Sequence, residues 1–153
     1  MATPNESKLA AGTIVSWAAE AETPVYAEAP GITNIGAIGL MSEAKENTTL
    51  ADTNKTYGEG LAEAPDKSVK GQFWASNTLQ AAFITACKAK TPMLIKVVFP
   101  DKPDATGTGT TAVFNMKPLG FQVDEPTGGE WLMFTVNGKQ NSDVTWTAPV
   151  AGV

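Results

Sequence analysis

Between Ile38 and Val69 the chain starts apolar at Ile38, Leu40 and Met41, then runs SEAKENTTLADTNKTYGEGLAEAPDKS, where Leu50, Tyr57 and Leu61 are the only large apolar side chains. A stretch of that composition cannot build a core, so the residues on either side must. Connections longer than about 12 to 15 residues without regular structure are uncommon in compact domains unless they are functional or disordered. Thr48, Thr49, Leu50 and Tyr57 are spaced anchors, unlike the Gly and Ser of a flexible linker. The reading is a long connection over about 42–66, with a polar strand around Glu43 to Thr49 followed by an arm that orders against a partner. The alternative is a solvated excursion on a monomer.

The flanking segments carry strand patterns. Thr13, Val15 and Trp17 fall at every second position, the spacing of a strand with one buried face. The acidic stretch AAEAETP then turns toward Val25 and Tyr26, and Ala29-Pro30-Gly31 punctuates before Ile32, which predicts a first hairpin. Ile32, Ile35 and Ile38 fit neither the strand nor the helix period and predict irregular extended chain. Beyond the arm, Val69, Gly71, Phe73 and Ala75 share one face of a strand, with Ser68, Lys70, Gln72 and Trp74 on the other. Trp74 is thus a large aromatic on a polar face, covered either by the arm or helix or by a partner, since buried tryptophans anchor interfaces.

One helix is predicted, over about 77–89. Asn77 is its N-cap, Leu79, Ala82, Phe83 and Ala86 form one apolar stripe, Lys88 and Lys90 meet the negative end of the dipole, and Thr91-Pro92 ends it. Met93 to Phe99 is apolar apart from Lys96, which predicts a strand covered on both faces at the centre of the core. After the turn-rich loop from Pro100 to Gly109, Ala112, Phe114 and Met116 alternate with Thr111, Val113 and Asn115, and Pro118 with Gly120 predicts a bulge before Phe121 and Val123. Asp124 to Gly129 turns the chain, after which Leu132, Phe134 and Val136 face the core and Trp131, Met133 and Thr135 lie opposite. Asn137-Gly138 predicts a hairpin turn, with Val144 and Trp146 on the return strand. Residues 1–11 read as an N-terminal arm, and 147–153 as a short C-terminal tail able to dock on a neighbour.

Composition narrows the chemistry. At 153 residues the chain fits one domain that buries roughly 70% of its unfolded surface. The single cysteine, Cys87, excludes an intrachain disulfide, and without His the common Cys/His zinc sites are absent; Cys87 reads as a small packing residue. MATPNESKLAAG has no apolar signal core and no 18-residue apolar run occurs, so neither secretion nor a membrane anchor is expected. Catalysis is not expected either. No His is available as general acid or base, no Ser or Cys sits in a nucleophile motif, and the acid pairs Glu20/Glu22 and Asp124/Glu125 lie in solvated turns. The loop DKPDATGTG lacks GxxxxGK[ST] and binds no phosphate, and no cofactor or metal is implied.

The net charge of −5 and the absence of Arg argue against ordinary nucleic-acid binding. The charge is also uneven, with ten acids against three Lys in residues 1–66 and six against eight in residues 67–153, so copies of the chain can attract one another. The bland alternative is chance scatter over a solvated surface.

The runs EAKENTTLADTNKTYGEG, VKGQFWA, IKVVFPD and EWLMFTVNGKQNSDVTW, in this order from about Gly31 to Trp146, resemble the major tail tube proteins of long-tailed (siphophage-type) bacteriophages and prophages. The resemblance implies a mainly β fold, an antiparallel β-sandwich or barrel with one helix, forming a single tail tube domain. It implies a structural virion protein whose six-fold rings stack into a tube that conducts DNA during ejection without binding it specifically. The implied partners are further copies of the chain, a tail terminator, a distal tail protein and a tape measure protein, with assembly in the host cytoplasm and a final place in the virion tail. In that family the loop matching the arm reaches an adjacent ring, which makes Thr48, Thr49, Leu50, Asp52 and Tyr57 the candidate assembly interface, and Trp74 joins them as a large aromatic on a polar face. The competing reading is a carbohydrate-binding or adhesin-type β-sandwich module that uses Trp17, Trp74, Trp131 or Trp146 as stacking platforms.

Overall fold

The computed structural model describes residues 11–64, 66–74 and 76–152; Ala75 and all but the last residue of the expected N-terminal arm lie outside them. Strand β1 (Ile14–Ala19) pairs antiparallel with β2 (Ala27–Glu28), the first hairpin read from the sequence. The next segment is more regular than its isoleucine spacing suggests. Ile32–Asn34 forms β3 against β6 (Asp66–Gln72), because backbone pairing with a neighbour overrides the missing side-chain period, and Ile32, Ile35 and Ile38 pack at the margin of the core.

The arm is also more regular than expected. Beyond a first strand, β4 (Met41–Glu46), the polar run returns as a second, β5 (Tyr57–Glu63), and the two form a separate two-stranded antiparallel sheet. The expected loop is thus a β-hairpin, whose inward backbone groups pair with each other while the outward ones face solvent.

Helix α1 (Thr78–Ala89) starts where predicted, with Asn77 Oδ1 accepting from the backbone N–H groups of Leu79 at 3.0 Å and Gln80 at 3.2 Å. Its buried face matches the predicted one only in part, since Phe83 is buried and Ala86 packs against the core but the stripe is rotated away from Leu79 and Ala82. Gln80, Phe83, Ile84 and Cys87 are buried, whereas Leu79 is 43% exposed and Ala82 faces solvent. The stripe is turned by Gln80, whose Oε1 accepts from Trp74 N at 2.5 Å and whose Nε2 donates to Gln72 O at 2.6 Å and Pro30 O at 3.4 Å. A side chain that satisfies three backbone groups, two at the end of β6 and one just before β3, is worth more inside than Leu79 is. Lys90 closes the helix in the left-handed region, at φ 57°.

The remaining strands are β7 (Met93–Val98), β8 (Thr111–Val123), β9 (Met133–Gln140) and β10 (Thr145–Thr147), and the body is one eight-stranded sheet in the order β2-β1-β7-β8-β9-β6-β3, with β10 beside β8. β8 makes two layers out of that one sheet. Thr111 to Met116 pair with β7, while Met116 to Val123 pair with β9, and the register slips between Pro118 and Gly120 as predicted. Inward side chains of both limbs meet in one core: Val15, Met93, Ile95, Val97, Ala112, Phe114 and Met116 from one, Val69, Phe134 and Val136 from the other, with Phe83 of α1 between Trp17 and Phe134. β7 buries Met93, Ile95 and Val97 fully, but its outer residues Leu94, Lys96 and Val98 are only half-covered, so the expected two-sided burial holds for one face.

Two expectations around β9 are corrected. Asn137-Gly138 is not a turn: the pair lies within β9, flanked by Ser68 and Lys67 of β6 and by the β8 bulge. Glycine is needed there because a Cβ on residue 138 would lie 2.6 Å from Lys117 O and 3.1 Å from Pro118 Cα. Leu132 precedes the strand and is exposed rather than in the core.

Candidate assembly interface

The arm's stem is mostly polar, with Met41, Tyr57 and Leu61 as its large apolar side chains, and every residue of β4 is exposed. Its pairing runs from Met41 opposite Glu63 to Glu46 opposite Tyr57, with a bulge between Ser42 and Ala44, and Ser42 Oγ donates to Glu59 Oε1 at 3.0 Å. Three of the candidate residues build the tip. Thr48 Oγ1 accepts from Thr56 N at 2.9 Å, and Asp52 Oδ2 accepts from Thr49 N at 2.7 Å and from Thr49 Oγ1 at 3.1 Å. This is the local side-chain bonding that Thr and Asp favour in turns. The turn leaves Leu50 wholly exposed (108%), and Tyr57 stands exposed where the tip meets the stem.

Trp74 does not join them. It lies on the body just past β6, its ring so close to Gly31 that a Cβ there would be 2.5 Å from Cζ3, and it shares a shallow depression of about 370 Å³ with Phe73, Glu130, Trp131 and Leu132. Trp131 is 80% exposed. Of the other tryptophans, Trp17 packs edge-on to Phe83 with centroids 6.1 Å apart, and the exposed Trp146 stacks on Phe99 at 6.3 Å and 16°. Val144 is buried and β10 returns where expected, although it pairs with β8 rather than β9. The tail beyond it meets this chain's own loop, Thr108 and Val150 exchanging backbone hydrogen bonds at 2.8 and 2.9 Å.

The titratable groups serve the fold. Hydrogen bonds from Thr110 hold Asp101 below the usual carboxylate range, and the Thr106 hydroxyl does the same for Asp104. Glu20 accepts from Asn115 Nδ2 at 2.7 Å and Asp124 from Thr135 Oγ1 at 2.8 Å, so each expected acid pair has one member engaged in holding strands together. Burial pushes the Cys87 thiol up to about 12, which removes the thiolate that reactivity needs. Among the described residues no group of three or more Cys, Asp or Glu is placed to hold a metal ion, and no helix is long and apolar enough to cross a membrane.

No protein-family model and no curated protein matches the sequence. Solved structures do match its shape. The sheath/tube terminator of an extracellular contractile injection system superposes with a TM-score of 0.69 at 12% identity, covering 95% of this chain and 100% of that one. The tail of a gene transfer agent particle, refined helically with C6 symmetry, gives 0.67 at 10% identity over 93% and 100%. The tail tube of SPP1 gives 0.65 at 11% identity over 90% and 77%. The chain has the tail tube fold. Sequence reasoning overlooked Lys67 and Gln140 at the root of the arm, both buried polar residues within strands. For Lys67 the signal was present, since alternation from Val69 and Gly71 puts it on the inner face.

Proposed function

We propose that this protein is the structural subunit of a tail tube: six copies form a ring, rings stack into a tube that conducts DNA, and the arm joins one ring to the next. The observation that carries the reading is the arm itself, a hairpin on a tail tube body that presents Met41, Leu50, Tyr57 and Leu61 to solvent without covering any of the body's core. Isolated two-stranded hairpins are marginal in water, so an arm of this kind is explained by a neighbouring subunit that covers it. Thr48, Thr49 and Asp52 then shape the tip, Leu50 and Tyr57 make the contact, and Trp74 belongs to a second contact on the body.

The six-fold arrangement is taken from the symmetry of the gene transfer agent tail, and a phage-type virion tail as the location from the SPP1 tube and that same tail. A terminator, a distal tail protein and a tape measure protein are the partners at the tube's ends and in its lumen. DNA passes without tight binding, since an acidic chain lacking Arg repels phosphate rather than holding it. A carbohydrate-binding module is the second reading, favoured by the depression between Trp74 and Trp131.

Negative-stain microscopy of the concentrated purified protein separates the two. Rings or tubes are expected; particles that stay monomeric at every concentration, with glycan binding that Trp131→Ala abolishes, would establish the module instead. Salt-sensitive submicromolar duplex binding in a titration would overturn the conduit.

A further inference from the structure

The arm leaves the body through residues 35–40 and returns through Ala64, and neither limb is held by strand pairing, since β3 ends at Asn34 and β6 begins at Asp66. Side chains of β6 and β9 hold them instead. Lys67, only 2% exposed, donates from Nζ to Ala37 O at 2.6 Å and lies 4.6 Å from the centre of the Phe114 ring. Gln140, also buried, accepts from Gly39 N at 3.0 Å through Oε1, and its Nε2 is anchored on Ser142 O at 2.8 Å. The returning limb is held from the outer face: Lys139 Nζ donates to Ala64 O at 3.3 Å and pairs with Asp66 at 2.7 Å.

Stability does not account for this arrangement. Among the described residues the Lys67 ammonium has one carbonyl and one ring for partners and no carboxylate. Burying a charge with so few partners is unfavourable, and an apolar side chain of similar volume would fill the space at lower cost. What an apolar side chain cannot do is fix the position of the Ala37 carbonyl. A charge-assisted hydrogen bond from a buried donor is short and directional, and it acts on the limb four residues before β4 begins. Burial lowers the Lys67 pKa to about 8, so the donor is still charged near neutrality.

We propose that Lys67, with Gln140 and Lys139, is a positioning lock that fixes the direction in which the arm leaves the body, so that a second copy of the chain meets it at a set angle. The second clause rests on the tube reading, but the lock does not, and its test needs no assembly. Spin labels at Glu43→Cys, just above the root, and Gln122→Cys, on exposed β8, report the arm's direction in the dilute full-length subunit; buried Cys87 stays unlabelled. A single narrow distance distribution is expected, lost to a broad one in Lys67→Met while the thermal midpoint is kept or raised. An unchanged narrow distribution in Lys67→Met overturns the lock, as does a broad one in the parent. If Lys67→Met does not fold, Lys139→Ala, which leaves the core intact, decides: broadening supports the lock and an unchanged width overturns it. Tubes are scored separately. A subunit that passes the distance test yet never assembles keeps the lock and loses the tube.

Discussion

In β7 every second side chain is buried, and in β4 none is, although both are six-residue antiparallel strands. The comparison separates two things that strand pairing is often asked to explain together. Pairing satisfies the backbone in both places, but only the body gains from taking apolar surface out of water. The body therefore stands alone energetically, while the arm needs a neighbour, and substitutions in the two regions should move different measurements.

The largest expected loss of subunit stability is in the body. Phe83→Ala empties the site between Trp17 and Phe134 and should cost roughly 3 to 5 kcal/mol in denaturant unfolding. Leu79→Ala, one turn away on the exposed side, should stay near 0.5 kcal/mol. If Leu79→Ala matched Phe83→Ala, the helix would be packed in the other phase.

That phase marks how far the sequence reached. The inner faces of β7, β8 and β9 were legible because alternation is a local pattern, and so was the N-cap, which needs only Asn77 and its own turn. Gln80 was not legible. Its burial depends on Trp74 N, Gln72 O and Pro30 O, the last fifty residues away in sequence, and no window along the chain brings that carbonyl into view. Asn137-Gly138 failed for the same reason, since glycine serves the close approach of β8 there and not a turn. Of the candidate interface, length and polarity gave the arm's extent and its exposed anchors. The second strand stayed hidden because Gly58 and Gly60 depress strand propensity, and the lock at the root stayed hidden because a lysine is an unlikely core residue wherever alternation places it.

Next in size is a pH effect confined to Lys67. Its folded pKa, about 8, lies below the ordinary 10.5. Below pH 8 both states hold the proton and the burial penalty is present in full. Between about 8 and 10.5 the folded state releases a proton that the unfolded state keeps, so stability should rise with pH, by an amount on the order of 1 to 3 kcal/mol in all. The difference between parent and Lys67→Met isolates this from other titrations. Parallel stability profiles for the two across that interval would show that Lys67 titrates as an exposed lysine does.

Gly138→Ala follows, at roughly 1 to 3 kcal/mol, the range for overpacking a tight site. The added methyl meets the Lys117 carbonyl and the Pro118 Cα, so the bulge must shift. Hydrogen exchange should quicken first in β8 and β9. A neutral substitution would mean that the bulge yields freely.

The smallest effect on the subunit belongs to the arm, where it is also the most informative. Met41→Ala, Leu50→Ala and Leu61→Ala should each leave thermal unfolding of the isolated protein within about 0.5 kcal/mol of the parent, because these side chains are exposed and bury little on folding. Ordering each residue costs about 1 to 2 kcal/mol, and the stem has little apolar contact to offset it, so β4 and β5 amides should exchange faster than those of the body strands in the free subunit, through brief openings of a hairpin that otherwise keeps its direction from the root. In the assembled particle the same amides should be protected, and the same substitutions should then weaken assembly. Deleting Thr49 to Gly60 takes this to its limit: circular dichroism should still report a folded body, and sedimentation should report no tubes. Normal tubes from that variant would remove the arm from assembly, whereas an unfolded variant would show that the hairpin belongs to the body's own stability and that the contrast between the two regions is false.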